Sequence, residues 1–421
     1  MDFPDTVRGR SMITVRGAEA REVGAARRLA AAVFSAQTPG SRPGALTAEE
    51  LAVPPGPPTA PAAGPPGELR VVAVAADGAV VGTVLVRLRG QWYGGAREPR
   101  AAVSSVAVDP AHRGRGLGGA LLESALGAAA ASGAVVAALL PSTHRFYRAH
   151  GFGVAGHRPV HALRVREVLA DLPRGRRPDV VRPATPGDAA AVADLVERRA
   201  AVVDGALDHR RLPRGPAEDV SEPGSWVVER GGRVTGWCVV HRRDPTAVGA
   251  TYDGVVRDLV GETPDDEVAL WRWAVADVPA APVVEALVLP GGLLEESLER
   301  QVAPVEDGTW MLRLLDPAAA LAQRGYAPGT TAQLRLRVGV GDAAAAAEVG
   351  LGVVAGAARV GAAAPGAPTV DLDLADLASV FTGHLDPVLA RARGRIACDA
   401  ATAVLLRGVF AGPPAVLPRA F

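Results

Sequence analysis

Four glycines, Gly114, Gly116, Gly118 and Gly119, fall within six residues, interrupted by Arg115 and Leu117 and preceded by Arg113. Glycine at that density lets a loop turn successive backbone N–H groups toward one point. N–H groups converging at the start of a helix hold an anion, best a phosphate or pyrophosphate. Two familiar nucleotide loops fit less well. Gly114, Gly116 and Gly119 have the G-x-G-x-x-G spacing of a dinucleotide site, but that site also needs an acid after the next strand, and Val135–Leu140 contains none. A P-loop is excluded because no Gly-Lys-Ser/Thr follows. His112, His144 and His150 flank the region, yet no His/Cys/Asp/Glu set has metal-ligand spacing and no serine sits in a nucleophile elbow.

The flanking residues supply the elements that such a loop needs. Val103, Ser105 and Ala107 alternate with Ser104, Val106 and Val108, which predicts a strand ended by Asp109-Pro110. Leu117, Leu121, Leu122 and Leu126 recur at helical steps, and Ser132-Gly133 closes that helix. Upstream, Ile13–Arg16 predicts a strand and 18–34 a helix. Residues 69–75 and 80–88 read as a hairpin about Asp77-Gly78. The Pro/Gly/Ala-rich run 37–66 is expected to be a flap or a linker. Downstream, Val135–Leu140 is a buried strand. The run Pro141–Gly153 carries Phe146-Tyr147 on a short helix and then a Gly-Phe turn.

The pattern then starts over. Residues 189–201 are an amphipathic helix, 225–229 and 234–241 a second hairpin, and 255–260 a strand leading by a turn to a helix over 267–276. The second turn, Gly261–Asp266, has acids and proline where the first has glycines, so it is not expected to hold phosphate. From Trp310 a third segment opens with a strand, an Asp316 cap and a helix. Leu334–Val338 alternates as a strand, and a helix over 372–380 is expected to be capped by Asp371.

At 421 residues the chain exceeds one ordinary core, and its length points to roughly three domains. Formal net charge is zero, which argues against nucleic acid as a partner. No run of about 18 apolar residues predicts a membrane span, and no basic-then-apolar leader opens the sequence. Two cysteines form no disulfide framework, so a cytoplasmic location is expected. The basic residues are all arginine, a compositional bias shared with the Ala, Gly and Pro excess.

Arg113-Gly-Arg-Gly-Leu-Gly118, placed directly behind Val106–Pro110, resembles the acetyl-CoA loop of the GCN5-related N-acetyltransferases (GNAT). Two such units, the second lacking the loop, followed by a short α+β segment, resemble the Eis (enhanced intracellular survival) acetyltransferases of actinobacteria. The residues that carry this likeness are Val103–Leu122, Pro141–Gly153, Arg313–Tyr326 and the terminal Phe421. The resemblance implies an α/β (α+β) chain of tandem GNAT-like domains, the second degenerate, and a sterol-carrier-protein-like α+β domain. Their expected limits are 1–165, 166–303 and 304–421.

The same resemblance implies residue roles. Backbone at Val106, Ala107 and Val108 would pair with the pantetheine arm of acetyl-CoA. Amides of Gly114, Arg115, Gly116, Leu117, Gly118 and Gly119 would hold its pyrophosphate, and Ser142 and Thr143 would touch it further along. Tyr147 matches the general acid and the α-carboxylate of Phe421 the general base, with no metal required. A carboxyl near pKa 3.5 and an alkylammonium near 10.4 differ by about 7 units, so the carboxylate would need burial or a relaying water. Relatives acetylate aminoglycosides and other many-amine cations, and also lysine side chains, and they assemble as hexamers. Here Arg419-Ala420 precedes Phe421, where an acid would suit a cationic acceptor. Glu49, Glu50 and Asp204 are the acids considered for the acceptor pocket. The alternatives are a protein lysine acetyltransferase and a non-catalytic lipid- or CoA-binding protein.

Overall fold

A computed structural model of the chain describes residues 13–35, 67–208, 220–245, 251–300, 302–339 and 347–418. The expected flap over 37–66, Glu49, Glu50 and Phe421 lie outside these residues. Two compact units are present, Met1–Leu88 with Ala101–Leu139, and Arg89–Arg100 with Leu140–Phe421.

The first unit follows the strand–helix–hairpin order read from the sequence. It contains β1 (Thr14–Gly17), α1 (Ala20–Ser35), β2 (Glu68–Val74), β3 (Val80–Tyr93), β4 (Ala96–Val108), α2 (Leu117–Ala131) and β5 (Val136–Leu139). Residues 89–100, at the linked ends of β3 and β4, count with the second unit. The strands lie in chain order, β1-β2-β3-β4-β5, with β1 and β3 both antiparallel to β2. The Asp77 carboxylate accepts from the Ala79 N–H at 3.0 Å and fixes the tight turn between β2 and β3. Leu121, Leu122 and Leu126 of α2 are buried, as their spacing requires, together with Val72, Val84 and all of β5.

The second unit begins with α3 (His144–Ala149), β6 (Gly153–Arg164) and α4 (Val165–Asp171). The repeat follows: β7 (Val180–Pro183), α5 (Ala189–Ala200), β8 (Ser225–Arg230), β9 (Arg233–Arg243), β10 (Asp253–Gly261), α6 (Pro264–Ala276) and β11 (Val283–Leu287). After α7 (Leu293–Ser297) comes β12 (Glu306–Leu314). Its sheet runs β12-β6-β11-β10-β9-β8-β7, and only β10 and β11 are parallel neighbours. One parallel pair, joined by a crossover helix, is the same arrangement that the repeat of patterns implies.

The third segment comprises α8 (Pro317–Gln323), β13 (Ala332–Gly339), β14 (Ala347–Val354), β15 (Ala357–Gly361), β16 (Thr369–Asp373), α9 (Leu374–Phe381), α10 (Pro387–Ala392), β17 (Ile396–Ala397) and α11 (Ala400–Val409). Its five strands run β15-β14-β13-β16-β17. Asp316 caps α8 as expected, accepting from the Ala319 N–H at 3.0 Å. The helix expected over 372–380 is corrected. Residues 369–373 form a strand because Val370 and Leu372 alternate inward, and Asp373, not Asp371, caps the helix by accepting from the Asp376 N–H at 2.5 Å.

Candidate active site

The glycine loop is built from its two ends. The N–H of Asp109 donates to Val81 O at 2.9 Å, which ties the end of β4 to β3. The Asp109 carboxylate accepts from the Ala111 N–H at 2.9 Å and lies 3.2 Å from His112 Nδ1, so it caps the short turn Pro110–His112. The His112 ring, then the Ala111 amide, hold the Asp109 carboxyl below the usual range. Arg113 folds back, and its Nε donates to Val108 O at 3.1 Å. Gly114 and Gly116 then take φ +74° and +77°, the left-handed region that other residues enter at a cost. Gly116 is the N-cap of α2, the Ala120 N–H closes the first helical bond onto its carbonyl at 3.1 Å, and Leu117 anchors the turn in the core.

This geometry leaves the N–H groups of residues 114–119 unspent: no acceptor among the described residues takes a hydrogen bond from them. Free amides at the positive end of a 15-residue helix favour a dianionic group. Just upstream, Ser105 has φ +52°, rare for a non-glycine residue. It breaks the alternation on which the strand was predicted: 101–103 are all buried, Ser104 to Val106 are half-buried, and Ala107 is buried again. Backbone strain of this kind clusters at ligand sites. Gly116→Val should cost about 1–2 kcal/mol of stability. It should also weaken binding of a phosphate-bearing ligand at these amides about tenfold through lost alignment. Denaturant melts and ligand titrations check the two effects separately.

Ser142 and Thr143 are exposed at the entry to α3, with Thr143 as its N-cap. Tyr147, one helical turn in, is 6% exposed. Its ring stands edge-on to Phe146 at 5.0 Å and Phe152 at 5.9 Å. Burial pushes the Tyr147 phenol up to about 12. The helix is tethered by His144 Nε2 against Thr309 Oγ1 at 2.6 Å, by Arg148 to Asp376 at 3.0 Å, and by Arg313 to His150 O at 2.9 Å. Tyr147 is therefore held by its own helix and by β12 and α9, whose tethering residues stand 163 to 228 positions away in sequence.

Asp204 does not line an open pocket. It is 5% exposed, accepts from the Gly94 N–H at 2.7 Å, and lies 3.8 Å from Arg324 Nη2. Arg324, itself buried, donates to Phe381 O at 3.0 Å and Gly325 O at 2.6 Å, with the rings of Tyr326, Phe381 and Phe410 within 5.6 Å. Glu98 is fully buried, and burial lifts its carboxyl well above the ordinary range while Arg324 pulls it down. Gly94 and Gly325 make this crossing possible, because a Cβ on either would collide with the other's carbonyl oxygen. Nothing in the local patterns marks these residues as partners.

The second copy's turn is closed by its own side chains. Thr263 and Asp266 form a reciprocal capping box at the start of α6, and Asp266 also accepts from Arg230 at 2.6 Å and Thr235 at 2.9 Å. With Asp265, Asp266 and Glu267 in its first turn, this helix end repels phosphate. Among the described residues, no group of three or more His, Cys, Asp or Glu is placed to hold a metal, and no helix is long and apolar enough to cross a membrane.

Residues 46–152 match the acetyltransferase (GNAT) family, and residues 317–418 match the sterol carrier protein domain. An uncharacterized N-acetyltransferase of Streptomyces coelicolor is 30% identical over 251 residues; the match covers 55% of this chain and 59% of that protein's length. One from Streptomyces griseus is 29% identical over 332 residues, covering 69% of this chain and 74% of the relative. In fold, a GCN5-related N-acetyltransferase from Kribbella flavida superposes with a TM-score of 0.78 at 23% identity, over 98% of this chain and 99% of the other. Eis1 from Mycobacterium abscessus does so at 0.70 and 21% identity, over 97% and 100%. By fold the chain is GNAT-like, residues 46–152 match the acetyltransferase (GNAT) family, and residues 317–418 form a sterol-carrier-like segment.

Proposed function

We propose that the chain transfers the acetyl group of acetyl-CoA to primary amines, with cationic compounds carrying several amines, aminoglycosides among them, as acceptors. The observation that supports it is the row of unspent N–H groups over residues 114–119, set at a helix N-terminus by two left-handed glycines. In this reading those amides hold the pyrophosphate, backbone at Val106–Val108 pairs with the pantetheine arm, and Ser142 and Thr143 touch the cofactor beyond it. Tyr147 protonates the departing thiolate, and the α-carboxylate of Phe421 receives or relays the amine proton. The domain limits 1–165, 166–303 and 304–421, a hexameric assembly and a cytoplasmic location belong to the same reading.

The test is release of CoA from acetyl-CoA in the presence of an aminoglycoside, a polyamine, free lysine or a lysine peptide. Turnover that depends on an added amine supports the reading, and the fastest amine identifies the acceptor class. Binding of acetyl-CoA with no release in any of the four reactions would overturn it.

A further inference from the structure

The degenerate repeat keeps a cleft of its own. Strands β10 and β11 pair only from Gly254 to Val256 against Val284 to Ala286, and β10 shifts register against β9 between Val256 and Asp258. Past that point the two strands are not paired, and a cavity of about 100 Å³ opens between the end of β10, the end of β11, α6 and α7. Its walls are mostly apolar: Trp271, Leu287, Leu293 and Leu294 line it. Three of its four charged residues are already matched, since Arg199 reaches Asp258 at 2.8 Å and Leu259 O at 2.6 Å, and Arg257 reaches Glu222 at 2.9 Å.

Glu267 is different. It lines the same cavity, half-buried, and its carboxylate makes no hydrogen bond or ion pair with any described residue. Burial lifts its pKa, only partly offset by the charge of Arg199. A desolvated carboxylate beside a tryptophan and leucines gains from a cation that brings its own apolar body. A phosphate is disfavoured by the acidic, self-capped start of α6.

We propose that this cleft of the second repeat binds a small apolar ammonium ion, with Glu267 holding the charged end and Trp271 with Leu287 and Leu293 enclosing the alkyl end. A cavity somewhat smaller than one that holds benzene, about 150 Å³, suits four or five carbons. Binding here is measured on the full chain without acetyl-CoA, so it stands or falls independently of the acetyl-transfer reading.

The probe is n-butylammonium, followed by Trp fluorescence and calorimetry, with 1-butanol as the neutral control. Expected is saturable binding of butylammonium, weakened about tenfold or more by Glu267→Gln, the size of a hydrogen bond to a charged group. Leu293→Phe, which fills the cavity without touching the charge, should abolish binding of both probes, and Tyr147→Phe should leave them unchanged. Butylammonium binding no tighter than butanol, or unaffected by both cavity variants, would overturn the proposal. Loss of binding in Tyr147→Phe would place the amine elsewhere and overturn it equally.

Discussion

In the proposed reaction, Tyr147→Phe is expected to lower kcat about a hundredfold or more, the range of a lost general acid. KM for acetyl-CoA and the melting temperature should change little. The ring packing on Phe146 and Phe152 survives the substitution, and no described residue hydrogen-bonds the hydroxyl. The phenol stands near 12 and a thiol near 8.5, so a free proton transfer would run uphill by about 3.5 units, or about 5 kcal/mol. In the proposed reaction the proton therefore moves as the C–S bond breaks. The raised value also fixes the pH dependence. The acid form persists up to about 12, so Tyr147 contributes no falling alkaline limb to the rate at ordinary pH. Steady-state rates from about pH 6 to about pH 10 check both points. A Phe variant as fast as the wild type would remove Tyr147 from the reaction.

Arg324→Met should be the most damaging single change to stability, costing about 3–5 kcal/mol, because it leaves buried carboxylates without their cation. Asp204 lies 3.8 Å from Arg324 Nη2, and Glu98 feels its charge from a fully buried position with neither oxygen hydrogen-bonded by a described residue. Three aromatic rings around the guanidinium add contacts that an ammonium would not reproduce, so Arg324→Lys should recover only part of the loss. The sign of the pH effect follows from Glu98 and Asp204, whose folded pKa values are both raised. A raised carboxyl supports the fold most fully below its unfolded pKa, and that support fades as pH rises through the folded value. Removing Arg324 raises both further, so the damage should be greater at about pH 8 than at about pH 5. Denaturant melts of Arg324→Met at the two pH values check this, and Glu98→Gln in the same background should restore part of the loss.

The loop, the helix behind it, the hairpins and the repeat are all legible before any packing is known. Each is a local pattern: glycine spacing, leucines at helical steps, Asp77-Gly78, and the return of the same order after residue 180. The position of Tyr147 on its short helix is local in the same sense. Where strain breaks a local pattern, as at Ser105 with φ +52°, alternation carries no sign of it. The start of α9 is ambiguous for a related reason: Asp371 and Asp373 are equally good caps in sequence, and only the pairing of Thr369–Asp373 with β13 decides between them. The packed fold, and nothing local, makes Asp204 a buried partner of Arg324 and Gly94, more than a hundred residues distant, and not a free acid in a pocket. The same holds for Glu267, whose carboxylate faces a cavity without a partner among the described residues. One cause underlies these differences. Periodicity reports which face of an element is buried, whereas desolvation, charge pairing and the accessibility of a carboxylate depend on what other elements bring to that face.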